Sequence, residues 1–103
     1  MTSDIRDSYR ETTGEFYVVT NSSKTKVFGN CFGFEYAHMF AADVSTILTF
    51  KAIGTKKTDP KVLLLIHEQV NDGTWRFRKI ATYQNGDMVA CDHRRKEFLN
   101  GEI

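Results

Sequence analysis

His67, Gln69, Arg76 and Arg78 stand at alternate positions on either side of Asn71-Asp72-Gly73-Thr74. If the two flanking segments fold back as strands, alternation puts all four side chains on one face. Guanidinium forks beside an amide can hold a carboxylate or a phosphate. A solvated outer face, with arginine stems lying over apolar surface, is the simpler reading of the same residues. Leu65 and Ile80, with Leu63, extend that face with aliphatic area that a fully solvated face would not gather. The candidate partner-binding set is therefore Leu65, His67, Gln69, Arg76, Arg78 and Ile80. What covers them is left open between the chain's own N-terminal arm or tail, a second copy in a homodimer, and a foreign protein.

Other constellations carry less. Cys31, His38, Cys91 and His93 are the residue types of a structural zinc site, but neither half has CxxC or HxxxH spacing, so no metal and no cofactor is expected. Cys31 with His38 or His67 and a carboxylate is the residue inventory of a nucleophilic site, one that almost any chain with two cysteines and three histidines supplies. No GxSxG, P-loop or dinucleotide fingerprint occurs, and an enzyme is not expected. Phe32-Gly33-Phe34 is similar to the middle of an RNP1 octet, yet it lacks the basic start and has Glu35 where an apolar residue belongs. Lys56, Lys57, Arg76, Arg78, Arg94 and Arg95 form the alternative set, for a nucleic-acid backbone bound weakly and in a salt-sensitive way.

The elements that must position these residues follow from periodicity. Val62–Val70 and Trp75–Tyr83 read as one long hairpin, and Asp72-Gly73 favours a two-residue type I′ turn. That register puts Val62, Leu64, Ile66, Glu68 and Val70 on one face with Tyr83, Ala81, Lys79, Phe77 and Trp75. It puts Leu63, Leu65, His67 and Gln69 on the other with Thr82, Ile80, Arg78 and Arg76. Phe16–Thr20 alternates as a strand with Thr25–Phe28 as its return, and Asn85-Gly86 is a second type I′ signal before Met88–Cys91. Ala37, Phe40, Ala41, Val44, Ile47, Leu48 and Lys51 follow helical spacing through residues 34–53, with Gly54 in the place of a C′ glycine. The β-branched run Val44–Ile53 allows the alternative of a short helix, Glu35–Ala42, followed by a strand. The fold expected is α+β, an antiparallel sheet of four to five strands packed on one face by a central helix. The helix stripe should face Val62, Leu64, Ile66, Phe77 and Trp75, leaving the other sheet face partly open to solvent.

At 103 residues the chain has room for one domain. Residues 1–13 read as a polar arm or short helix, and residues 92–103 as a charged tail with one helical turn around Phe98 and Leu99. A net charge of +1 excludes a generally basic nucleic-acid binder and an acidic mimic of one. Two distant cysteines and no apolar leader indicate a cytoplasmic protein, and no segment approaches the length of a membrane span.

The succession Glu15-Phe16-Tyr17-Val18-Val19, then Phe34-Glu35-Tyr36-Ala37-His38-Met39-Phe40-Ala41, then an aliphatic strand and a Gly-Thr-Trp hairpin has a familiar layout. Across residues 15–86 it resembles, in size and order of elements, the small accessory proteins of tailed bacteriophages. The resemblance implies a module that binds a host protein and blocks or redirects it. With the residues, it sets the expectation of a non-enzymatic protein-binding module, an inhibitor or adaptor in the host cytoplasm, with nucleic-acid binding as the alternative.

Overall fold

The computed structural model describes residues 13–54 and 60–99. The arm expected over residues 1–13, apart from Thr13, lies outside them, as do Lys56, Lys57 and the end of the tail. Five strands, β1 (Phe16–Asn21), β2 (Val27–Cys31), β3 (Lys61–Gln69), β4 (Trp75–Gln84) and β5 (Asp87–Cys91), form one sheet in the order β2-β1-β3-β4-β5. Every neighbouring pair is antiparallel. Helix α1 (Phe34–Ala52) connects β2 to β3 across β1, and the single turn α2 (Lys96–Leu99) follows β5. The expected α+β architecture is the one observed.

Strand β3 is central. Its uninterrupted run Val62-Leu63-Leu64-Leu65-Ile66 pairs with β1 on one edge and β4 on the other, and it is buried from Val62 through His67 on both faces. A continuous apolar run suits a strand covered on both sides better than one that alternates.

Residues 44–52 are helical, which settles the helix-or-strand ambiguity. Ala37, Ala41 and Ser45 form the buried line of α1, and their small side chains bring the helix close to Val62, Leu64, Ile66 and Tyr83. The 3.6-residue spacing of that line outweighs the β-branched propensity of Val44, Thr46, Ile47 and Thr49, since burial of a single large aliphatic stabilises by about 1.5–3 kcal/mol while propensity differences reach only about 0.7.

The hairpin departs from the expected register near its turn. Val70 N donates to Thr74 O and Gly73 N to Val70 O, so the loop has three residues, with Gly73 alone at positive φ (+88°). This is a type I turn closed by a left-handed glycine. Pairing is consequently Gln69 with Trp75, His67 with Phe77 and Leu65 with Lys79, then shifts at a bulge to Leu64 with Ala81 and Val62 with Tyr83. A one-residue slip turns side chains to the opposite face. Trp75 and Phe77 thus leave the α1 face and join the other side, while Arg76 and Arg78 come to the α1 side. Ile80 and Ala81, both opposite Leu64, point into the α1-side core.

The second sheet face is closed rather than open. Phe16, Val18, Leu63 and Leu65 make a separate apolar cluster there, with Val27 and Phe77 at its margin. The second turn keeps its expected form, Asn85 and Gly86 both having positive φ. It is tied to α1, because Ser45 Oγ donates to Ala42 O at 2.7 Å and accepts from Gly86 N at 2.9 Å. Gly86 is required for closeness as well, since a Cβ there would lie 2.7 Å from Thr46 Oγ1.

Ser45→Ala would leave the Gly86 N–H without its buried acceptor. The expected loss is about 1–3 kcal/mol in urea unfolding at an unchanged m value. Thr46→Ala should cost less than this; a Ser45→Ala protein as stable as the wild type would show that this bond does not hold the turn to the helix.

Candidate interaction surface

The residues chosen from the sequence do not form one surface. Leu65 and Ile80 are 0% and 1% exposed and lie in different cores, and His67 is 2% exposed. Gln69 is exposed, with Nε2 donating to Gly73 O at 2.9 Å. The slip at the turn separates Leu65, His67 and Gln69 from Arg76, Arg78 and Ile80, so the proposed combination of aliphatic patch and arginine anchor is not assembled.

The imidazole of His67 is a packing element. It stacks on Trp75 with ring centroids 5.3 Å apart and 10° between planes, and its centroid lies 4.7 Å from those of Phe16 and Phe77. Its Nδ1 donates to Gly14 O at 2.8 Å, which assigns the proton to that nitrogen. Apolar rings on several sides and a filled hydrogen bond leave this histidine no role toward a phosphate or carboxylate.

The arginines do converge, but onto carboxylates. Arg78 Nε donates to Glu68 Oε2 at 2.9 Å and its Nη1 to Asp92 Oδ2 at 2.8 Å. Arg95 Nη1 reaches Glu68 Oε1 at 2.8 Å, with Glu97 on its other side, and Arg94 Nε donates to Asp92 Oδ1 at 3.0 Å. Three guanidiniums meet three carboxylates, so the cluster has no net charge and fastens α2 to the end of the hairpin. Arg76 is exposed opposite Glu68, and Lys56 and Lys57 lie outside the described residues. The expected basic track is therefore not formed among the described residues. The side-chain and backbone donors of Arg94 hold the Asp92 carboxyl down to about 2, from an ordinary 3.8.

Cys31 and Cys91 are both free thiols on opposite edges of the sheet, four strand spacings or roughly 19 Å apart. That separation excludes a disulfide between them and a metal site drawing on both. Cys91 Sγ and His93 Nδ1 are 3.6 Å apart, and no group of three metal-ligating side chains occurs among the described residues. Phe32 is exposed on the approach to α1, while Phe34 packs on Tyr17, His38 and Phe98, so they do not form the stacking pair of an RNA-binding sheet. His38 Nδ1 lies 2.6 Å from Tyr83 Oη, and burial pushes its pKa below the usual 6.5.

The surface with the character of an interface lies elsewhere, on the outside of α1. Tyr36 is 76% exposed, Met39 61%, Ile47 53% and Phe50 70%. Their steps of three, eight and three residues place them on one line, on the far side of the helix from Ala37, Ala41 and Ser45. Asp43 fills the gap in the middle of that line. The line ends near a groove at the start of α1 bordered by Gly33, Phe34, Tyr36, His38, Met39 and Lys96. Ile47, assigned with the core-facing stripe from sequence, belongs to this outer line. The signal was present in the sequence: residues 36, 39, 43, 47 and 50 keep helical spacing too, so the helix carries two apolar lines where one suffices for packing on a sheet.

Two titrations follow from the geometry. Asp92 has a depressed folded pKa, so its contribution is present above about pH 4 and is lost as pH falls toward about 2. Thermal melts should show that loss, and Asp92→Asn should flatten it; an unaltered acid profile in the variant would remove Asp92 from the account. His38 also titrates lower when folded, so stability should decline as pH falls below the ordinary imidazole value of 6.5. His38→Gln should make that decline shallower, and an identical slope would mean that burial of His38 has no such effect.

No protein-family model, no curated protein and no solved structure matches this chain.

Proposed function

We propose that this protein is a non-enzymatic protein-binding module of the cytoplasm, an inhibitor or adaptor, whose contact surface is the outer face of α1. The observation that carries the reading is the line of Tyr36, Met39, Ile47 and Phe50 on the exposed side of the helix. Contiguous exposed apolar area of this kind marks interaction sites, and aromatic residues and methionine are enriched in interface cores. The four side chains stand on a regular element docked on a five-stranded sheet, so they meet a partner with little ordering cost. The outer face of α1 takes the place of the surface around Leu65 and Arg78 because Leu65 and Ile80 are buried and Arg78 is paired with Glu68 and Asp92.

The alternative of nucleic-acid binding has less support, since Arg78, Arg94 and Arg95 already face carboxylates. No helix among the described residues is long and apolar enough to cross a membrane. The resemblance in layout to phage accessory proteins directs the search for a partner to host proteins.

The test compares capture from lysate by wild type, Phe50→Glu and Ile47→Glu, with and without nuclease and at two salt concentrations. Both substitutions are at exposed positions, and circular dichroism should show the fold unchanged. Expected is a nuclease-resistant protein retained by the wild type and reduced at least tenfold by either variant. Equal retention by all three, or recovery of nucleic acid alone, lost at higher salt, would overturn the placement.

A further inference from the structure

We infer that the outer face of α1 pairs with the same face of a second copy of this chain, the two helices lying antiparallel across a two-fold axis. This rests on the reading of that face as a protein-binding surface and names its occupant. Two aromatics, a methionine and an isoleucine at these exposures present on the order of 600 Å² of apolar side chain. Two such faces together bury up to roughly 1,200 Å², the lower end of specific interfaces and the range of a reversible pair.

The order of residues along the helix suits its own reverse. Residue 43 is the midpoint of Phe34–Ala52, so complete antiparallel overlap puts the axis at Asp43. Tyr36 then lies opposite Phe50 and Met39 opposite Ile47, each pair formed twice, and every large apolar residue of the line has an apolar partner. In that arrangement the two helix dipoles also oppose one another. A parallel arrangement would set the two helix dipoles side by side in the same sense. A foreign partner would need a complementary line of its own, whereas a second copy supplies it through residues already present.

Only Asp43 meets its own equivalent, and that contact is the most specific consequence of the register. Two carboxylates brought together on the axis weaken the pair. Asp43 thus keeps the association reversible, and its replacement by an apolar residue should tighten the dimer rather than damage it.

Sedimentation velocity of the full chain over a concentration series tests the assignment. The wild type should pass from monomer to dimer as concentration rises. Phe50→Glu should weaken the dimer at least tenfold and Asp43→Leu should strengthen it at least tenfold, with circular dichroism unchanged in both. A wild type that stays monomeric at every concentration overturns the inference, as does a dimer indifferent to both Phe50→Glu and Asp43→Leu. A monomer whose lysate partner is still lost on Phe50→Glu overturns self-pairing but leaves the protein-binding reading standing. A monomer that captures the same proteins with or without Phe50→Glu overturns both.

Discussion

The one-residue shift in the β3–β4 pairing decides which side chains this molecule offers to its surroundings. The three-residue loop at Asn71-Asp72-Gly73 sets the turn end of the hairpin out of phase with its base, and the bulge that places Ile80 and Ala81 together opposite Leu64 brings it back. Between loop and bulge every β4 side chain has changed face. Trp75 and Phe77 can therefore close around His67 on one side of the sheet, while Arg76 and Arg78 are carried to the other. With a two-residue turn the arginines would lie among rings and the indole beside α1. The bulge is also where the α1-side core gains Ile80.

From the same shift comes the fastening of the C-terminal segment. Arg78, now on the α1 side, reaches both Glu68 on β3 and Asp92 just after β5. Arg95 extends the network to Glu97, and Phe98 enters the core beneath. Exposed ion pairs are worth little singly, but this set is connected, partly shielded and continuous with apolar burial. Its second effect is chemical: basic residues that look in sequence like a patch for polyanions are matched by acids within the fold. Charge that is neutralised internally steers no ligand.

Helix α1 has two apolar lines and a sheet on only one of them. The innermost line, Ala37, Ala41 and Ser45, is made of small residues that let the helix approach the sheet, and Phe34, Phe40, Val44 and Leu48 pack beside it against the core. Further large side chains, Tyr36, Met39, Ile47 and Phe50, stand on the outside. A helix that only packs on a sheet carries polar residues on that outer side. The placement of Tyr36, Met39, Ile47 and Phe50 is a feature of the helix for which packing on the sheet gives no reason.

Much of the architecture was legible from local pattern. The places of the two glycine turns, the paired strands around them and the helix through residue 52 follow from period and turn chemistry, which act within a few residues of chain, while the return strand after β1 runs over Val27–Cys31 rather than the expected Thr25–Phe28. The continuous run Val62–Ile66 suits a strand buried on both faces, although alternation along the hairpin leads to the expectation that its second face is partly open. Local pattern could not specify a loop of three residues against two, because Asp-Gly suits both, nor the compensating bulge, because that depends on which residues fit the α1-side core. Those two choices determine the face of every residue from Trp75 to Lys79. The sequence by itself therefore determined which segments pair and which helix covers them. Only the tertiary structure decided which side chains are buried, neutralised or left facing solvent, because a slip of one residue in pairing leaves the local pattern intact and reverses its orientation.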